Sequence, residues 1–281
     1  MSTQPAPLPV FPPEVQLKSP DGASARISPY GAHVLSWIPA EGAERLFLSP
    51  KTEFQSGVAI RGGVPIIFPR FGGTQFAGMG ELPNHGFART QFWEVARANA
   101  DEATFWLSEN ETTRHLWPHR FLCEYTVRIS GNRLEMKLSV TNIDLTPFTF
   151  TAALHTYLRV EDVRRAVVKG LSGLIYRDSA NGEKEAREES DRVTFPGEVD
   201  RIYFETPSIL ELVDEKRTLS ISSTGFPDAV IWNPGAEKCA KLTDMEPDGY
   251  LQFVCIEAAA VARPIVLAPG EIWRGTQILS T

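Results

Sequence analysis

The sequence is poor in cysteine. Cys123, Cys239 and Cys255 lie far apart, are odd in number and never form a CxxC pair. This argues against a disulfide framework and against a structural zinc site, and a reducing compartment is expected, with a cytoplasmic location. Long apolar runs are missing too: no stretch of about 18 consecutive apolar residues occurs, so no membrane span is expected. The opening residues, MSTQPAPLPVFPPE, have no basic start followed by an apolar run and do not read as a secretory signal. There is no basic excess. With 28 Lys and Arg against 35 Asp and Glu, the net charge is −7, which gives no support for a general nucleic-acid-binding surface. A small anion is still compatible with it, because a few local arginines can bind a phosphate on an acidic protein.

What is abundant is alternation. Gly and Pro, 21 of each in 281 residues, are spread along the chain and suit many short strands joined by turns. In FLCEYTVRI (121–129) and RLEMKLSV (133–140) every second residue is apolar, and Ser130-Gly131-Asn132 lies between them, which predicts a hairpin. QFWEVAR (91–97) and ATFWLS (103–108) predict a second pair. Further strands are expected in 25–38, 148–160, 217–224, 228–233, 249–259 and 271–279. Helical signal is sparse: Ser108 and Glu111 form an S-x-x-E capping box, predicting a helix from about Glu109 that ends at Pro118. The charged stretch 178–192 reads as a solvated loop or hairpin tip. With 42% hydrophobic residues the chain can bury a sizeable core. The expected organisation is all-β: a Pro-rich extended segment over residues 1–13, then a single large, mostly antiparallel β-sandwich domain over 14–281, acting as a monomer.

A few ionisable residues stand in unusual company. Glu257 lies in the apolar run GYLQFVCIEAA, on the face of Cys255, Phe253 and Leu251, where a carboxylate is costly unless paired or used. The bland alternative is a rim carboxylate with its head in water. His155 lies between Leu154 and Thr156 in a run of β-formers and reads either as a satisfied core residue or as a proton-transfer group. His85, in the loop PNHG, is a turn histidine or a functional one. Two histidines and an isolated glutamate in such settings suggest acid–base chemistry, since burial tunes such groups. His115 and His119 are spaced i, i+4, but Pro118 lies between them and no HExxH pattern is present, so they read as non-catalytic. Arg61, Arg70 and Arg89 carry forks suited to phosphate or carboxylate oxygens, against the alternative of surface salt bridges. Gly62 and Gly63 would allow the backbone close approach to a ligand. Asp200 precedes a short strand and could be a simple turn residue.

Taken in order, IRGGVPIIFPRFG, LPNHGFART, ALHTYLRV, EVDRIYF and VCIEAA resemble the hexose-6-phosphate mutarotases, a branch of the aldose 1-epimerase family. WNPGAEKCAKLTDMEPDGY (232–250) resembles that branch as well, and the likeness covers roughly residues 25–280. The resemblance implies a galactose-mutarotase-like β-sandwich, or supersandwich. It implies that Glu257 is the general base and His155 the general acid, that His85 holds the sugar near its ring, and that Asp200 hydrogen-bonds sugar hydroxyls. It associates Arg61 and Arg89 with the 6-phosphate. Asn84 stands where related sequences commonly have glutamine, and is one methylene shorter. The implied reaction exchanges the anomers of glucose 6-phosphate and similar hexose 6-phosphates, without metal or cofactor. A mutarotase for free aldoses such as galactose, or a non-catalytic carbohydrate-binding sandwich, are the alternatives.

Overall fold

The computed structural model describes residues 11–73, 81–215 and 217–281. The first ten residues of the Pro-rich segment lie outside the described residues. Three sheets account for the named strands. A small one joins Val15–Lys18, Ser24–Ser28 and His33–Ile38. One eight-stranded sheet runs Ala166–Lys169, Ile209–Asp214, Arg217–Thr224, Ile272–Ser280, Arg133–Asn142, Phe121–Ser130, Glu102–Ser108 and Glu94–Ala98. The other runs Lys184–Arg187, Ile175–Asp178, Val199–Tyr203, Asp228–Asn233, Phe253–Leu267, Phe148–Leu154 and Ile66–Ile67, with Tyr157–Arg159 also paired to Phe253–Leu267. Ladders between these strands are antiparallel, as a chain of short strands and tight turns requires.

Alternation builds the sandwich. In the hairpin, Phe121, Cys123, Tyr125, Val127 and Ile129 are buried, and Leu134, Met136, Leu138 and Val140 meet them from the next strand. Ser130 pairs with Arg133 across the Gly131-Asn132 turn, so the predicted hairpin holds in register. These side chains join one core with Val254, Ile256, Ala258 and Ala260 from the facing sheet. Side chains of a strand alternate between its faces, so these four leave the odd-numbered residues from Phe253 to Val261 for the opposite face, before a register shift after Ala260 returns Leu267 to the core.

Four expectations are corrected, the first being that the span 25–38 is two paired strands, Ser24–Ser28 and His33–Ile38. The strand expected at 249–259 begins at Phe253, because Gly249–Gln252 forms a 3₁₀ turn. The helix is Glu111–Leu116, and Asn110 caps it: its side chain accepts from Thr113 N–H at 2.9 Å while Thr113 Oγ1 accepts from Asn110 N–H at 2.8 Å. Ser108 cannot cap, since it is the last rung of its strand, opposite Leu122. The span 148–160 is two strands, broken at His155 and Thr156. The charged segment 178–192 is a hairpin: Ile175–Asp178 pairs with Lys184–Arg187, whose four residues are all exposed.

Candidate active site

Register explains how residues far apart in sequence meet. In the Phe253–Leu267 ladder, Cys255 lies opposite Trp232 and Glu257 opposite Val230. One strand further, Trp232 lies opposite Asp200 and Val230 opposite Ile202. Glu257, Asp200, Trp232, Val230 and Ile202 therefore share the face turned away from the main core. A second apolar cluster on that face includes Ala153, Tyr157, Ile202, Val230, Trp232, Phe253, Cys255 and Ala259. On the other side of Glu257, Leu154 pairs with Ala258 and Tyr157 with Cys255. These registers are in step, which leaves His155 across from Glu257. The ladder is interrupted there: His155 N–H donates to Pro65 O at 3.0 Å, and Ile256 N–H to Thr156 O at 3.2 Å.

His155 Nε2 stands 3.3 Å from Glu257 Oε1. Glu257 is 1% exposed, and its Oε2 and His155 Nδ1 have no hydrogen-bond partner among the described residues. Burial raises the Glu257 carboxyl well above its usual range; the Asp200 charge adds to this and Arg89 opposes it. Burial likewise depresses the His155 imidazole, helped by His85, Arg89 and Arg61. Both groups resist charge in this buried setting. The pair holds the same number of protons as acid plus imidazole or as carboxylate plus imidazolium, so a transfer within it needs no exchange with solvent.

Both face a cavity of about 570 Å³, lined also by Arg61, Asn84, His85, Arg89 and Asp200. All seven candidate site residues thus meet in one place. Arg61 and Arg89 bring positive charge to its wall. Arg61 donates through Nε to Asp244 Oδ2 at 3.0 Å and through Nη1 to the Tyr157 hydroxyl at 3.1 Å, and Arg89 Nη2 donates to Asn84 O at 3.0 Å. His85 adopts φ 65°, and its Nδ1 accepts from Gly72 N–H at 3.2 Å. That bond puts the proton of the neutral ring on Nε2. Burial, with Arg89, Arg61 and Arg70, holds the His85 pKa down to about 3. The next residue, Gly86 at φ 69°, brings the backbone against the Phe68 carbonyl, where a Cβ would collide. Burial lifts Asp200 to about 6; Lys238 Nζ, 3.8 Å away, opposes this, while Glu198, Glu183 and Asp178 reinforce it.

The cavity also includes residues that the sequence did not single out: Phe71, Arg177, Ser179, Glu183, Trp232 and Lys238. Ser179 and Glu183 come from the charged hairpin, whose polar composition resembles that of any solvated turn. Lys238 sits in the WNPGAEKC motif, which was the one available signal for it. Arg70 does not line the cavity; it is 4% exposed and donates to Leu82 O. Lys241 is exposed and outside the cavity lining. Gly62 and Gly63 approach protein rather than a ligand: Gly62 packs on Phe47 and Leu48, Gly63 on Val34 and His33. His33 is fully buried with Nε2 2.7 Å from Gly62 O, and so braces the loop that carries Arg61. His119 lies beside Asp144 at 3.6 Å, and neither it nor the exposed His115 lines the cavity.

A family model described as Aldose 1-epimerase matches residues 13–280. A protein of Cenchrus ciliaris, provisionally named glucose-6-phosphate 1-epimerase, is 37% identical over 283 residues, 95% of this chain and 84% of its own. A Salmonella typhimurium protein with the same provisional name is 38% identical over 240 residues, covering 83% and 79%. A crystal structure from Salmonella typhimurium, provisionally titled a mutarotase, superposes with a TM-score of 0.86 at 33% identity, over 95% of this chain and 89% of that one. The match spans all three sheets and every residue around the cavity, and the chain belongs to the aldose 1-epimerase family.

Proposed function

We propose that the protein interconverts the α and β anomers of D-glucose 6-phosphate and related hexose 6-phosphates by acid/base-catalysed ring opening and closure. The observation that carries this reading is the buried His155–Glu257 pair, 3.3 Å apart, facing a cavity that Arg61 and Arg89 also line. Opening a cyclic hemiacetal removes the proton of the C1 hydroxyl and adds one to the ring oxygen. In the charged form of the pair, Glu257 takes the first proton and imidazolium His155 gives the second, each transfer contributing typically ~10²–10⁴-fold. The aldehyde turns about C1–C2, and closure reverses the transfers. Neutral His85 donates Nε2–H to a sugar oxygen near the ring. Asp200 accepts from sugar hydroxyls, and Asn84 adds a polar contact. Arg61 and Arg89 hold the 6-phosphate, so that C1 turns between fixed groups and remote binding energy is used for positioning. The reading takes residues 14–281 as a single domain. A monomer in a reducing, cytoplasmic compartment accords with three cysteines that are buried and unpaired.

The test is NMR exchange spectroscopy of glucose 6-phosphate and of free glucose with purified protein. The reading expects faster α/β exchange with a clear preference for the phosphorylated sugar. Saturable binding with no acceleration would overturn it in favour of a binding protein, and equal rates for both sugars would remove the phosphate from the assignment.

A further inference from the structure

Arg61 is not a free cation waiting at the cavity wall. Asp244 holds its Nε and the Tyr157 hydroxyl accepts from its Nη1. Tyr157 is 2% exposed, wedged against Phe253 and Trp232 at centroid distances of 5.1 and 5.9 Å. Its ring also lies parallel to the His155 imidazole, 4.9 Å between centroids and 10° between planes. One rigid side chain therefore touches both the arginine and the imidazole.

We propose that Tyr157 is a positioning residue through which an anion bound at Arg61 and Arg89 acts on His155. The inference rests on the phosphate reading given above. The physical basis is electrostatic. A ring face attracts a cation stacked on it through the ring's quadrupole. Arg61, bonded to the phenol oxygen, draws electron density from that ring and weakens its support for imidazolium. A phosphate on Arg61 offsets the guanidinium charge and restores it. The direct fields run the same way: Arg61, Arg89 and His85 disfavour the charged form of His155, and Glu257 across the ladder favours it. Geometry is fixed as well. The wedged phenol sets the imidazole plane, and Nε2 then aims at Glu257.

The substrate's phosphate thus does more than anchor. It shifts the pair toward the carboxylate and imidazolium that the reaction uses. The consequence is a phosphate effect on kcat as well as on KM.

Tyr157→Phe keeps the ring and removes the hydroxyl. Exchange kinetics with glucose 6-phosphate and with glucose, measured across pH, test the idea, with thermal unfolding to verify the fold. The expected result is a fall of about tenfold, the size of one charge-assisted hydrogen bond, in the ratio of kcat for glucose 6-phosphate to kcat for glucose. KM should change less, kcat for glucose should stay level or rise because Arg61 no longer drains the ring, and the acidic limb of the kcat–pH profile should move. Asp244→Asn, which loosens Arg61 from the side away from His155, should act mainly on KM. An equal fall in kcat for both sugars, or a change in KM alone, would overturn the proposal and leave Tyr157 a packing residue. Wild-type protein with no preference for glucose 6-phosphate would overturn the phosphate reading itself, and shows this before any variant is made.

Discussion

Replacing Glu257 by glutamine separates its chemical role from its cost to the fold. Gln has the same shape but cannot accept a proton as a carboxylate does. If Glu257 takes the C1 proton, kcat should fall by about 10²–10⁴-fold. Stability should move the other way. Glu257 is 1% exposed, and burial holds its carboxyl well above the usual 4.5. In the unfolded chain it ionises near that usual value, so from there up to the folded pKa the native state binds a proton that unfolding releases. Wild-type stability therefore falls as pH rises through this window, by about 1.4 kcal/mol per pH unit from this residue. Gln carries no such term. Its advantage over wild type should be small at pH 4.5 and grow by up to about 1.4 kcal/mol per unit toward neutrality. His155 is depressed and titrates in both proteins, so it largely cancels in the difference. Urea unfolding at pH 5, 6 and 7, with NMR exchange at pH 7, measures both quantities. Activity within tenfold of wild type would refute the base assignment, and a stability difference independent of pH would refute burial as the cause of the raised pKa. Glu257→Asp adds a geometric check: withdrawing the carboxylate by about 1 Å should cost on the order of 10² in rate.

Arg89→Ala should lower kcat/KM for glucose 6-phosphate by about 10–100-fold, the worth of one charged hydrogen bond, and lower that for glucose far less. Asp200, lifted to about 6 from 3.8, destabilises the native state once ionised; Asp200→Asn should stabilise the protein by about 1–2 kcal/mol above pH 6, discounted for its partial exposure and for Lys238, and by almost nothing near pH 4 in urea melts. The same variant should lose the decline in wild-type kcat/KM that protonation of Asp200 causes below about pH 6. Gly86→Ala places a Cβ into the Phe68 carbonyl at a positive φ, so calorimetry should show a loss of more than about 1 kcal/mol, with KM raised as His85 shifts.

How far the sequence could be read depended on whether the signal was local. The hairpin from Phe121 to Asn142 was legible because period-two burial and a Gly-Asn turn lie in one stretch. The capping box was misplaced by two residues because two candidate caps compete, and only the pairing of Ser108 with Leu122 decides between them. Glu257 was correctly grouped with Phe253 and Cys255, but both faces of its strand are apolar. Alternation cannot tell which face meets the other sheet and which meets the cavity. The meeting of His155 with Glu257 depends on pairing between segments about a hundred residues apart. It was anticipated only through the family likeness, as was the grouping of Arg61, Arg89 and Asp200. Tyr157, Asp244 and Glu183 gave no sign, since a tyrosine in a strand and acids in turns are commonplace.

The interrupted ladder at His155 has an implication for how such a site can change. The spacing between His155 and Glu257 is set by rungs on both sides, Leu154 with Ala258 and Tyr157 with Cys255, and not by any loop. The groups that would meet the rest of the sugar come from turns: Asn84, His85 and Arg89 from one, Ser179 and Glu183 from another. Length and composition in those turns can drift without stretching the reacting pair. A scaffold of this kind can exchange one sugar for another while the proton-transfer step is left alone, and insertions at 179–183 are where a change of diet would be written first.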